Sequence, residues 1–219
     1  MVELIRGLRA QDVRANLESV HERLAAAGRR PGEVQILAAV KYLPGEELAA
    51  LGDGGITLVG ENRAQDLLTK CEAHPGFTWD FIGALQSRKV PLVLPHVRYI
   101  HSVASDSALE QLKKHGNAET RVLIEVNVAD DGDKSGVTPA ELPAFIERCP
   151  VTVVGLMTMP PLAARAEDNR RHFAALRELA GVHSLSELSM GTSQDYGVAA
   201  EEGATIIRLG SSLYRPAAA

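Results

Sequence analysis

Eight short apolar runs, separated by stretches of helical periodicity, constrain this chain more than any other feature. They fall at residues 34–40, 57–60, 79–83, 97–101, 122–128, 152–157, 185–190 and 205–209. Runs of strand length with no polar face suit parallel strands covered on both sides. Helical signals lie around and between them. Val13, Leu17, Val20 and Leu24 recur at helical spacing, and Gly28 with Pro31 ends that pattern. Ala64, Leu67, Leu68 and Cys71 share a face, as do Leu109 with Leu112, and Phe173 with Leu176 and Leu179. Thr138-Pro139-Ala140-Glu141 reads as a capping box, weakened by Pro143 just inside. Parallel strands need crossover connections, here helices. Eight repeats after an extra N-terminal helix predict a single (β/α)8 TIM-type barrel, one domain over residues 1–219. An open doubly wound sheet is the alternative.

Composition excludes several classes of function. Charged residues make up 23% of the 219, the net charge is −5, and both signs are interspersed without a basic block. Nucleic acid is therefore not an expected partner. The apolar runs are too short to cross a bilayer, and MVELIRGLRAQD has no signal-peptide pattern, so a cytoplasmic protein is expected. Cys71 and Cys149 lack metal-ligand spacing and read as reduced thiols.

Barrel chemistry sits at the C-terminal ends of the strands. The last two such ends carry Gly191, Thr192 and Ser193, then Gly210, Ser211 and Ser212. Loops after strands seven and eight often bind phosphate, and glycine lets backbone N–H groups approach an anion. Lys41 closes the first strand. Alone it reads as a snorkelling rim residue. Beside a phosphate cup it suggests a Schiff base, with either a phosphorylated aldehyde cofactor or a sugar phosphate. Arg208 closes strand eight and could face phosphate, a rim carboxylate or a pyridine nitrogen. His101 reads as a packed histidine, and Asn62 as a helix cap. Met157 and Met159 read as core filler. Glu61 and Asp195 read as lone acids at helix starts.

Motifs along the whole chain resemble one family. They are AVKYLP around Lys41, GENRAQDLL from Gly60, FIGALQSRKV from Phe81, IHSVASD from Ile100, VN…DKSG from Val126, GLMTMPP from Gly155, LSMGTSQD from Leu188 and IRLGSSLY from Ile207. Together they resemble the pyridoxal phosphate homeostasis proteins, the YggS/PROSC family, whose fold is similar to the N-terminal barrel of the alanine racemases. The resemblance implies pyridoxal 5′-phosphate on Lys41, with Asn62 beside the ring and Arg208 facing the pyridine nitrogen. It implies Ser189, Thr192, Gly210 and Ser211 around the phosphate, with Met190 and Gly191 supplying loop backbone. Thr192 stands where members commonly have methionine, Ser211 where many have threonine, and Arg215 where they commonly have glycine.

The resemblance leaves a choice between a carrier and an enzyme. The racemases draw a tyrosine from a C-terminal β domain across a dimer, and residue 219 comes before such a domain could begin. The expectation is therefore a monomer that holds the cofactor in intracellular homeostasis without robust turnover. Pyridoxal phosphate-dependent apoenzymes are the expected recipients. An amino-acid racemase is the alternative, and a cofactor-free Schiff-base aldolase the third reading. Tyr42 is expected to point away from Lys41, while Tyr196 and Tyr214 lie near the barrel top. Lys134 reads as a solvated loop lysine.

Overall fold

The computed structural model describes residues 4–129, 135–161 and 163–217. Eight strands pair in chain order, all parallel, and the eighth closes on the first. They are β1 (Gln35–Ala39), β2 (Leu58–Glu61), β3 (Thr78–Phe81), β4 (Tyr99–Val103), β5 (Arg121–Glu125), β6 (Thr152–Met157), β7 (Glu187–Thr192) and β8 (Ile206–Leu209). Each lies on or within two residues of an apolar run picked out in the sequence. The closed order, and not an open doubly wound one, is the architecture.

The helices are α1 (Ala10–Ala26), α2 (Leu48–Asp53), α3 (Ala64–Ala73), α4 (Val90–Val93), α5 (Asp106–His115), α6 (Leu142–Arg148), α7 (Arg170–Val182), α8 (Tyr196–Glu201) and α9 (Ser211–Tyr214). α2, α4 and α9 are too short to show periodicity, and the sequence did not single them out. The Thr138–Glu141 box forms: Glu141 N–H donates to Thr138 Oγ1, and Glu141 Oε2 accepts from Thr138. The helix proper begins three residues later than Pro139, with Pro143 in its first turn, where a missing N–H costs nothing.

Apolar side chains divide unequally between two layers. The main core lies between sheet and helices, with Val13, Leu67, Leu112, Leu142, Phe173 and Leu176 packed on the outer faces of the strands. A smaller cluster of Leu37, Leu58 and Ile206 occupies the inside of the barrel. Polar side chains share this interior: Asp80, His101, Ser189 and Arg208 are all buried. Gly60 serves this interior, because a Cβ there would stand 2.5 Å from Leu37 and 2.9 Å from Ile82.

Candidate functional site

A cavity of about 570 Å³ opens at the C-terminal ends of the strands. Its walls come from successive strand ends: Ala39 and Lys41, Asn62, Ile82 and Gly83, Ser102, Glu125, Met157, Thr192, and Arg208 with Gly210. Strand register brings these together, with Ala39 opposite Gly60, Glu125 opposite Met157, and Thr192 opposite Arg208.

Lys41 lies two residues beyond β1, half-buried, in the cavity wall. Among the described residues its Nζ makes no hydrogen bond or ion pair; it stands 4.7 Å from the Tyr42 ring centroid. Tyr42 lines the cavity too, which corrects the expectation that it points away. The strand ends at Ala39, and a turn in which Leu43 N–H donates to Val40 O replaces the strand alternation.

The position of Lys41 is fixed from behind the sheet. Lys70 on α3 donates at 2.8 Å to Val40 O and at 2.6 Å to Glu61 Oε2. Glu61 Oε1 accepts from the backbone N–H of Asn62 at 2.7 Å and of Arg63 at 3.3 Å. This buried ion pair therefore grips the residue before Lys41 and the backbone of Asn62 together. Glu61 is thus not a lone acid, and sequence reasoning missed Lys70, which resembles any polar residue on a helix.

Asn62 faces the cavity and does not cap α3, whose N-cap is Arg63 with no side-chain bond. Its Oδ1 is buried without a partner among the described residues. Such an orphan costs about 1–3 kcal/mol, a strain tolerated where a ligand supplies the missing donor. Gly83 lets the next strand end pass close to it; a Cβ there would fall 2.0 Å from Asn62 O.

On β8, which pairs with β1, Arg208 is buried and held by both terminal nitrogens. Nη1 donates at 2.7 Å to Ser189 O and at 2.7 Å to Ser189 Oγ, and Nη2 donates at 2.9 Å to Thr158 O. Its Nε has no such bond among the described residues. Burial pushes Arg208 down to about 10, against the attraction of Asp195 and Glu125, so the guanidinium is charged at neutral pH. Glu125 reaches the cavity with Oε1 accepting from Ser135 at 2.6 Å. Tyr214 lines the floor and donates to Ala39 O at 3.1 Å. Burial raises its pKa, with Glu61 adding to the rise.

The two hydroxyl-bearing loops meet as expected but are already knitted together. Ser193 Oγ accepts from Gly210 N–H at 3.1 Å, Ser212 N–H at 3.2 Å and Ser212 Oγ at 2.8 Å. Thr192 donates from both N–H and Oγ1 to Asp195 Oδ1, while Asn169 donates to Oδ2. Asp195 is therefore the hub of its loop and not a lone acid. Thr192, Ser193, Gly210 and Ser211 line the cavity. Ser189, Met190 and Gly191 are absent from that wall. Ser189 and Met190 are fully buried in β7, with the Ser189 hydroxyl committed to His101 and Arg208. Gly191 has φ 90°, and a Cβ would meet Ala199 at 2.6 Å, so only glycine lets β7 turn onto α8.

Met157 is buried core as expected, whereas Met159 is 52% exposed at the rim and not filler. Tyr196 stands away from the cavity wall. Cys71 and Cys149 are free, and burial pushes the Cys71 thiol up to about 12, which leaves it unreactive. Lys134 lies outside the described residues. Among the described residues no cluster of His, Cys, Asp and Glu could hold a metal, and no helix is long and apolar enough to cross a membrane.

The closed barrel has counterparts among known proteins. The family described as alanine racemase, N-terminal domain, matches residues 9–217, and the chain is a barrel of that class. Corynebacterium glutamicum alanine racemase shares the fold at TM-score 0.73 and 13% identity, over all of this chain and 64% of that one. The pyridoxal phosphate homeostasis protein of Aquifex aeolicus is 38% identical over 213 residues, 90% of this chain and 93% of that protein. The Escherichia coli K12 protein of that name is 31% identical, over 93% of this chain and 96% of its own. PipY of Synechococcus elongatus, solved with pyridoxal phosphate bound, superimposes at TM-score 0.74 with 32% identity, over 90% of this chain and 100% of that one. The chain belongs to the pyridoxal phosphate homeostasis protein family.

Proposed function

We propose that this protein binds pyridoxal 5′-phosphate in the cavity, covalently held as a Schiff base on Lys41, and serves intracellular cofactor homeostasis. The observation that carries the reading is Lys41 Nζ, an unbonded primary amine at one wall of the cavity that Arg208 faces from another. When bound, the cofactor supplies an aldehyde that a primary amine attacks reversibly with loss of water.

The residues present fit that group. Lys41 supplies the amine. Asn62, with its orphaned Oδ1, lies along the same wall and would meet the ring or its substituents. Arg208, with Nε outside its three anchoring hydrogen bonds, would meet the pyridine nitrogen. The small residues Thr192, Ser193, Gly210 and Ser211 would surround the phosphate, and Ser193 would release the N–H groups of Gly210 and Ser212 to it. Ser189, Met190 and Gly191 would act from beneath, by holding Arg208 and shaping the loop.

Holding is favoured over turnover by what the tyrosines do. The Tyr214 proton is donated to Ala39 O and burial holds it in place, which makes it a poor acid or base. A charged arginine at the pyridine nitrogen also keeps that nitrogen unprotonated and the ring a weak electron sink. The protein acts in this reading as a monomer in the cytoplasm that passes the cofactor to apoenzymes needing it. An amino-acid racemase is the second reading, resting on the shared barrel.

Incubation with pyridoxal phosphate should give an absorption band characteristic of a Schiff base. Borohydride followed by peptide mass mapping should place the adduct on Lys41. Protein that stays colourless, or an adduct on another lysine that persists in Lys41→Ala, would sink the reading. Racemisation of an amino acid that disappears in Lys41→Ala would favour the second.

A further inference from the structure

A line of polar side chains runs through the inside of the barrel from its base to Arg208. At the base Arg98 donates to Asp80 at 2.6 Å and 3.0 Å, and Tyr99 N–H adds a third bond at 3.2 Å. Asp80 Oδ2 lies 3.0 Å from His101 Nε2. His101 Nδ1 lies 2.9 Å from Ser189 Oγ, and Arg208 Nη1 is 2.7 Å from the same oxygen. Asp80, His101 and Ser189 have no solvent exposure.

One donor order satisfies every member. A guanidinium has no acceptor, so Arg208 must donate to Ser189 Oγ. Ser189 then spends its single proton on His101 Nδ1. With Nδ1 accepting, the histidine carries its proton on Nε2 and donates it to the Asp80 carboxylate, which can only accept. The opposite tautomer would aim the Nε2 lone pair at an anion 3.0 Å away. Burial lowers the His101 pKa against the pull of Asp80, in keeping with a neutral ring. The bonds from His101 and Arg98 outweigh burial and keep Asp80 ionised.

We propose that Asp80, His101 and Ser189 form a positioning relay that fixes the plane of the Arg208 guanidinium, so that Nε, and not a terminal nitrogen, is the N–H offered to a ligand. None of the three touches the cavity; they act through Arg208. The chemistry that this arrangement selects is a flat ring with a lone pair in its plane, an unprotonated pyridine-type nitrogen. The proposal rests on the reading that Arg208 meets the cofactor ring nitrogen, and it adds what makes that contact selective.

The test compares pyridoxal phosphate with its analogue carrying C–H in place of the ring nitrogen. The native protein should prefer pyridoxal phosphate by roughly tenfold, the share of one hydrogen bond to a charged donor. Ser189→Ala keeps the main-chain acceptors of Arg208 and should bring the preference close to parity while the analogue binds as before. Ser189→Thr, which restores the hydroxyl, should restore the preference. A merely structural role would weaken both ligands alike. Thermal melts identify which variants are folded, and Asp80→Asn gives a second break in the line. Full preference retained in folded Ser189→Ala, or no preference in the native protein, overturns the relay. Failure of the native protein to take up either ligand sinks the functional reading instead. Nitrogen-15 spectra of the histidines in protein without ligand then decide the relay alone: a proton on His101 Nε2 supports it, and one on Nδ1 overturns it.

Discussion

Two walls of the cavity are held by buried charge in different ways. Behind β1 and β2, Lys70 and Glu61 form a closed pair at 2.6 Å, wedged between sheet and helix. Inside the barrel, Arg208 and Asp80 are separated by a hydroxyl and an imidazole, and Arg98 closes the line at the base. The closed pair cancels its charge locally and spends its remaining hydrogen-bonding capacity on backbone: Val40 O, Asn62 N–H and Arg63 N–H. It therefore sets where the main chain runs. The line inside the barrel spends its capacity on the orientation of one side chain. The wall that carries Lys41 is anchored through its backbone, and the wall that carries Arg208 through the guanidinium itself.

This contrast can be broken experimentally at either wall. Glu61→Ala leaves a buried ammonium unpaired, and loss of one partner from such a pair costs about 3–5 kcal/mol. Urea unfolding should show that loss, together with a lower yield of the Lys41 adduct. A loss under 1 kcal/mol would mean that the pair anchors nothing. Asp80→Asn keeps shape and one acceptor, so a smaller loss of about 1–3 kcal/mol is expected. It should leave Lys41 adduct formation intact.

The relay has a pH signature of its own. The folded-state pKa of His101 lies below its ordinary value because burial outweighs Asp80. As pH falls below about 6.5 the unfolded chain takes up this proton and the folded one does not, so stability falls by up to about 1.4 kcal/mol per pH unit. Asp80 is shifted the same way, and its contribution is lost only near and below about pH 4. Thermal melts from pH 7.5 to 5 should show the decline, and His101→Gln should flatten it. An equal slope in both proteins would remove His101 as its source.

The smallest effect on stability is expected at two cavity-lining residues, Lys41 and Asn62. Asn62→Ala removes a side chain whose Oδ1 has no partner, and Lys41→Ala one with no hydrogen bond. Both should unfold within about 0.5 kcal/mol of the native protein. Lys41→Ala should abolish the covalent adduct. Asn62→Ala should weaken pyridoxal phosphate binding while leaving the adduct on Lys41.

The barrel was legible because buried parallel strands write themselves as local apolar runs. α5 was legible from the spacing of Leu109 and Leu112, and in the structure Ser105 caps it through Ala108 N–H. Lys41 and Arg208 were legible as polar residues at strand ends, and the two serine-rich loops as neighbours in a closed sheet; Asn62 reads locally as a helix cap, and only the family resemblance pointed to it. The long-range pairs were not legible. Lys70 with Glu61 and Asp80 with His101 are joined across strands or between strand and helix, and nothing local marks them. Ser189 was expected at the phosphate only because the family resemblance implies it. Strand alternation instead turns its side chain into the barrel, one layer below the mouth.

The base of the line has a further consequence. Arg98 bonds not only Asp80 but also Gln35 Oε1, at the entry of β1, and lies 4.1 Å from the Tyr99 ring. On the proposed relay, the floor of the barrel would take part in recognition at its mouth. Recasting this scaffold for an aldehyde without a ring nitrogen would then mean redesigning the floor as well as the rim loops.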